Sequence, residues 1–280
     1  MTSILTNNGA MVALQTLQTV NNDLNTAQNE ISTGKRVGSA SDNAAVWAIS
    51  KTMESDVAGF EAISESLAVG EATVAVASAG AENIVDTLVD IKELIVSAQS
   101  ENVDHVKIQT DITKKVEQID AIMSAAQFNG VNLLLDTVDG TESSLGVLAS
   151  LDRVGPTGTP AATEIDIAAL DFTTNLDMSS MTAVSDSTTA ATALTEIEAF
   201  LTTAIDGAAQ LGADKARLTD QGEFVGKLSD AMKQGISAMT DTNMEEASAR
   251  LKALQTQQQL AVQSLSIANG APQSLMSLFR

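Results

Sequence analysis

His105 is the only histidine among 280 residues, and there is no cysteine at all. Those two counts remove most site chemistry at once. A two-histidine zinc site, a thiolate nucleophile and a disulfide have no residues to use, and a Ser-His-Asp triad would depend on His105 alone. His105 itself reads as a loop or helix-start residue. The acidic residues Glu164, Asp166, Asp171 and Asp177 could bind a cation, but their spacing matches no EF-hand loop, so they read as a solvated acidic face. Gly155 and Gly158 lie in a Gly-Pro-Thr-Gly-Thr-Pro run that lacks the Lys-Ser/Thr pair and helix of a phosphate loop. The nearby hydroxyls of Thr157, Thr159, Thr173, Thr174, Ser179 and Ser180 could accept O-linked sugars. No residue is assigned to catalysis, to a metal or to a cofactor, and the chain reads as a protein that is not an enzyme.

Charge narrows the partners. The formal net charge is −21, which opposes nucleic acid, whose phosphates demand Lys and Arg, and opposes an anionic membrane surface. Nine acidic residues and one basic residue, Arg153, lie between Asp136 and Asp186, whereas residues 251–280 carry no acid. An acidic centre with nearly neutral ends suggests a solvated middle and ends that become buried. The missing cysteine fits either a cytosolic chain or one that leaves the cell unfolded. No basic, apolar leader opens the sequence and no stretch reaches the ~18–20 apolar residues of a membrane span, so the expectation is a cytoplasmic chain or one exported without a cleaved leader.

The elements that would carry any function are helices. Stepping 4,3,4,3 from Ile49 gives Met53, Asp56, Phe60, Ile63, Leu67, Gly70, Val74, Ala77, Ala81, Ile84, Leu88, Ile91, Ile95 and Ala98, and only Asp56 and Gly70 of these fifteen positions are not apolar. A period of 3.5 held over seven heptads specifies a long helix lying against partner helices. Aromatics are 2% of the chain, against 44% hydrophobic residues. Small and aliphatic side chains suit such seams better than a wide globular core does. Trp47, on the opening turn of this helix, reads as a packing anchor.

Around that helix the pattern is nearly palindromic. A first helix over about 4–33 carries Ala13, Leu17, Val20, Leu24, Ala27 and Ile31 and stops at Gly34, a C-cap. Asp42 or Ser41 can cap the long helix after a loop. A third helix near 105–127 is followed by Asn129-Gly130, a strong hairpin signal. Residues 136–187 read as a small, partly β insertion in which Glu164-Ile165-Asp166-Ile167 alternates like a strand. Helical period returns at Leu194, Ile197, Leu201, Ala204, Ala208 and Leu211, and a last helix carries Ala247, Leu251, Leu254, Ala261, Leu265 and Ala268. Pro272 either kinks that helix or opens a final turn. The fold expected is mainly α: a long antiparallel coiled-coil bundle with paired terminal helices, a β-hairpin and a small outer insertion. The segments are 1–41 and 243–280 as an inner pair of core helices, 42–135 and 188–242 as the long helices, and 136–187 as the exposed insertion.

The two ends share a thin seam of Leu17, Val20, Leu24, Ile31, Leu251, Leu254, Leu265 and Leu275. One such pair is marginal against the entropy of ordering it. Neighbouring copies covering Val12, Leu14, Leu260, Val262 and Ile267 change the balance, so the ends are expected to gain their order on assembly.

Four motifs then resemble the bacterial flagellins. Ile31 to Ala45 (ISTGKRVGSASDNAA) looks like the family's loop between its first two helices. Lys92 to Ala98 is similar to its Arg-Glu-Leu-Ala-Val-Gln-Ser stretch. Ile108 to Ile112 with Gln127 to Val131 resembles another segment and its hairpin, and Ala271 to Arg280 resembles its closing residues. The resemblance covers about 1–135 and 190–280, and the short insertion and Ser-Leu-Phe-Arg ending look most like alphaproteobacterial flagellins. It implies an extracellular subunit that self-assembles into the helical flagellar filament, a homopolymer serving motility. It implies export through the flagellar type III apparatus with a cytoplasmic secretion chaperone, and filament cap and junction proteins as partners. The implied self-assembly core is Leu14, Leu17, Val20, Leu24, Ile31, Leu251, Leu254, Leu265 and Leu275.

One departure concerns the flagellin-sensing Toll-like receptor. Family members that it recognises carry an Arg four positions before the Leu matching Leu94; here that position is Asp90, while Asp111 keeps the acidic partner. The implied engagement is weak or absent, although an ordinary solvated position would read the same way. Alternatives to the filament subunit are the hook–filament junction protein of the same family and an unrelated soluble helical scaffold or secretion chaperone.

Overall fold

The computed structural model describes residues 7–153 and 158–278, with side chains described as far as Gly270. Its elements are α1 (Asn8–Thr33), α2 (Ala44–Ser97), α3 (His105–Ala125), β1 (Ser144–Asp152), β2 (Ala161–Ala168), α4 (Phe172–Asn175), α5 (Ser187–Thr240) and α6 (Met244–Leu278). A short 3-10 turn, Met178–Ser180, precedes α5. The described residues are mainly α with one two-stranded antiparallel sheet, and no helix among them is long and apolar enough to cross a membrane. Two compact units divide it: residues 1–55 with 231–280, and residues 56–230.

In the unit of residues 56–230, the heptad stripe is the core. Phe60, Ile63, Leu67, Val74, Ala77, Ala81, Ile84, Leu88, Ile91, Ile95 and Ala98 are all buried. Ile112, Ile119 and Met123 of α3 and Ala190, Ala193, Ile197, Leu201, Ala204, Leu211, Leu218 and Val225 of α5 complete it. At the partner faces, Lys115 pairs with Asp90 at 2.7 Å and Lys92 with Glu198 at 2.6 Å, so α3 and α5 are each tied to α2. The stripe does not bury along its whole length: Ile49 is 51% exposed.

Local chemistry sets the boundaries. Gly34 ends α1 with φ 71°, the left-handed C-cap that a Cβ disfavours. The cap of α2 is neither Ser41 nor Asp42 but Asn43, whose Oδ1 accepts from Val46 N at 3.1 Å. Asp42 instead accepts the loop N–H groups of Gly38 and Ser39 at 3.1 and 2.9 Å, which leaves the next polar residue to start the helix. Asn129 (φ 51°) and Gly130 (φ 84°) form the expected two-residue turn. Phe128 and Val131 exchange both backbone bonds at 2.9 and 3.0 Å, yet they remain an isolated bridge without strands. The flanks are used otherwise: α3 ends at Ala125, and Asn132 donates through Nδ2 to Met123 O and through its N–H to Val138 O. The hairpin with real strands is β1–β2, running from Ser144↔Ala168 to Asp152↔Ala161, with a bulge between Leu148 and Ser150. Val147, Ala149, Ile165 and Ile167 form its buried face, so the alternation at 164–167 is a strand, while its partner β1 carries no clean alternation of its own.

Candidate functional site

The terminal helices α1 and α6 pack together. Val20, Leu24, Ala27 and Leu254 form the buried seam, with Leu251 packed against it. Ala247 and Ala261 are also buried, and Leu17, Ile31 and Leu265 are half-buried. Two polar links along the pair show that it is antiparallel: Gln258 Nε2 donates to Asn21 Oδ1 at 2.7 Å, and Asn7 Nδ2 donates to Ala268 O at 2.8 Å. Leu275 lies outside the residues whose side chains are described.

Beyond the seam, several apolar side chains of both helices are uncovered. Met11, Val12 and Leu14 of α1 are 64%, 63% and 48% exposed, and Leu260, Val262 and Ile267 of α6 are 57%, 52% and 74% exposed. Val12, Thr16, Leu260 and Ala268 line a shallow groove of about 460 Å³ between the two helices. Isolated surface leucines are ordinary, but a grouped set on two paired helices marks an interaction surface. Leu14 thus belongs to the open face rather than to the seam.

The loop between α1 and α2 fixes this pair to its own unit. Arg36 N and Val37 N donate to Thr240 O at 2.7 and 3.2 Å, Thr242 N donates to Gly34 O at 2.9 Å, and Arg36 Nη2 donates to Met239 O at 3.0 Å. The motif-bearing loop is therefore a clamp on the α5–α6 junction. Asp42 holds its two N–H groups as an anion: the backbone N–H of Ser39, then its hydroxyl, keep the carboxyl below the usual aspartate range.

The two interruptions of the heptad stripe mark where the hairpin docks. Asp56 receives Arg153 Nη2, and Arg153 Nη1 donates to Gly158 O at 3.0 Å. At Gly70 a Cβ would lie 2.7 and 2.8 Å from the γ-carbons of Val147, so only glycine admits β1 there. Two side chains hold the bulge. Ser66 Oγ accepts Leu148 N at 3.2 Å and Gln221 Nε2 donates to Ala149 O at 2.7 Å. Neither Ser66 nor Gln221 carries a sequence pattern that singles it out, because polar residues on exposed helix faces are common.

The remaining candidate residues have structural uses. His105 opens α3, and its Nε2 lies 2.8 Å from Ala98 O; a carbonyl only accepts, so Nε2 carries the proton. Asp171 caps α4 through Thr174 N, and Asp177 caps the 3-10 turn through Ser179 N. Glu164 and Asp166 lie exposed on β2. Among the described residues no three His, Asp or Glu side chains converge as a metal site. Asp90 is paired with Lys115, Leu94 is half-buried and Asp111 is exposed.

Comparison with known proteins gives the family. Residues 4–139 match the model of the bacterial flagellin N-terminal helical region, and residues 194–279 match that of the C-terminal helical region. A flagellin of Brucella melitensis is 40% identical, covering 100% of both chains. Flagellin FljO of Caulobacter vibrioides is 37% identical over 99% of this chain and 98% of its own, and flagellin A of Rhizobium meliloti is 31% identical over 100% of both. A solved Bacillus cereus flagellin is 18% identical with a TM-score of 0.48, covering 56% of this chain and 86% of that one. The matches span both helical ends and the full-length relatives are alphaproteobacterial: the chain belongs to the bacterial flagellins, structural and non-enzymatic subunits that polymerise into the extracellular filament of the flagellum.

Proposed function

We propose that this subunit polymerises through the open faces of α1 and α6, with Leu14 at the contact and Leu17, Val20, Leu24, Ile31, Leu251, Leu254 and Leu265 holding the pair that presents it. The single observation that supports this is the exposure of Met11, Val12, Leu14, Leu260, Val262 and Ile267 on two helices that share a buried seam. One such face meeting a different face of the next copy continues as an open helical filament when the rotation does not close into a ring, whereas matching faces would close as a dimer. Residues 251–280 carry no acid, so copies of a strongly anionic chain can bring these ends together without opposing charge.

The export apparatus, a cytoplasmic secretion chaperone, and the filament cap and junction proteins are the partners this reading adds beyond the homopolymer. Asp90 joined to Lys115, beside Leu94 and exposed Asp111, offers the flagellin-sensing Toll-like receptor an acidic face where recognised relatives offer Arg. That supports weak or absent engagement, and full potency in a receptor reporter assay would refute it. The polymerisation proposal is tested by seeding the purified chain and a truncation lacking residues 251–280 with filament fragments under negative-stain microscopy. Long uniform filaments from the intact chain alone are expected. Short capped particles would move the reading to the junction protein, and discrete oligomers from both would refute it.

A further inference from the structure

Asn7 sits just before α1, and its one amide group makes two bonds of different kinds. Oδ1 accepts Ala10 N at 3.1 Å, the usual helix N-cap. Nδ2 donates to Ala268 O at 2.8 Å, across 261 residues of sequence. Ala268 is not an arbitrary acceptor. It stands four residues before Pro272, and α6 stays helical through that proline to Leu278. Proline has no N–H, so the carbonyl that would receive the 272→268 helical bond is left without its donor. The amide of Asn7 supplies it.

We propose that Asn7 is the positioning residue of the α1/α6 assembly face: it caps α1 and at the same time fills the hydrogen bond that Pro272 withholds from Ala268, and so fixes where the start of α1 meets α6. The inference rests on the polymerisation reading above. It explains the choice of residue. Ser, Thr and Asp cap a helix as well as Asn does, but none offers an N–H₂ in addition to its acceptor. The bridge lies beside the groove, since Gly9 and Ala268 both line it together with Val12 and Leu260. Losing it would let the two apolar rows slide against each other at the surface the next copy must match.

The test is a double-mutant cycle on the full chain: wild type, Asn7→Asp, Pro272→Ala, and both together, read as the critical concentration for seeded filament growth. Asn7→Asp keeps the cap and suits the positive helix end, but it replaces the donor with an anion facing a carbonyl. The expected result is a rise of about fivefold or more in critical concentration for Asn7→Asp, the scale of one net hydrogen bond. In the Pro272→Ala background residue 272 regains its N–H, so the same change there should be nearly silent. If Asn7→Asp grows like wild type, Asn7 is only a cap and the proposal is overturned. An equal loss in both backgrounds overturns it too, because the two residues are then uncoupled. If wild type forms no filaments, the polymerisation reading has failed instead, and amide exchange over residues 8–20 and 258–270 decides the bridge. Protection over residues 8–20 that is lost in Asn7→Asp supports it; protection absent from wild type or indifferent to Asn7 overturns it.

Discussion

Gly70→Ala is the sharpest perturbation of the account of how the hairpin is seated. A glycine inside a helix normally costs about 0.8–1 kcal/mol relative to alanine, so the substitution should by propensity alone stabilise α2. Here the added Cβ would lie 2.7 Å from Val147 Cγ2 and 2.8 Å from Cγ1, and Val147 is 3% exposed. Overpacking of that kind costs about 1–3 kcal/mol. The net effect should be a loss of up to about 2 kcal/mol, with about 1 kcal/mol as the central value. Gly222 and Gly226 of α5 have nothing within 4 Å of their would-be Cβ, so alanine there should gain the full propensity term of about 0.8–1 kcal/mol. In a Val147→Ala background both clashing carbons are gone, and Gly70→Ala should turn stabilising. The coupling between the two sites is then about 2 kcal/mol. Urea unfolding followed by far-UV circular dichroism measures all of these; Trp47 lies in the other unit and is a poor reporter for this one. If Gly70→Ala stabilises as much as Gly222→Ala, β1 does not sit on α2 at Gly70 and the reasoning is wrong.

Four further outcomes follow from the same structure. Asp56→Ala should destabilise the hairpin's attachment by about 1–3 kcal/mol, because it leaves the mostly buried Arg153 guanidinium unpaired, whereas the joint change Asp56→Leu with Arg153→Met should recover most of that; unfolding curves of the three variants check it. Leu24→Ala and Leu254→Ala, in the seam, should each cost about 2–5 kcal/mol in the stability of the α1/α6 pair, measured by amide exchange in α1 and α6. Gln221→Ala should release Ala149 O at the bulge and speed amide exchange in β1 while leaving α3 unchanged. Asp42 is held below the usual aspartate range, so the folded chain binds its proton less readily than the unfolded one. Its stabilisation is present above the unfolded value and lost as pH falls through the lower folded value. Asp42→Asn should therefore flatten the acid limb of stability below about pH 4, and an unchanged acid limb would contradict the loop geometry.

How much of this could be read in the sequence depended on periodicity. The stripe from Phe60 to Ala98 was legible because a helix with buried partners on one side repeats its apolar residues with a fixed period. Gly34 was legible because only one residue type readily takes the left-handed cap. Asp56 and Gly70 were visible as exceptions, but their reason was not, since it lies 97 and 77 residues away at Arg153 and Val147. Strand β1 was missed because its half-buried residues do not alternate cleanly, and the bulge at Ala149 shifts its register. The sequence offers Asp42 or Ser41 as the cap of α2 where the structure uses Asn43, because all three are good caps and only the loop's own N–H groups decide among them. Asn7 carried a weak cap signal, and its second bond depends on a proline at the other end of the chain. The outward residues Val12, Leu14, Leu260, Val262 and Ile267 were legible as apolar positions left over once the seam was assigned.

The central claim is that those leftover residues drive polymerisation, and one measurement addresses it directly. Leu14→Gln, Leu260→Gln and Ile267→Gln are made together and the variant is seeded with wild-type filament fragments under the electron microscope, its folding checked by circular dichroism. Because all three side chains are largely exposed in the single chain, the account predicts a normally folded monomer that adds no length to the seeds. A variant that extends the seeds as fast as the wild-type chain would contradict it, and the assembly surface would have to lie elsewhere.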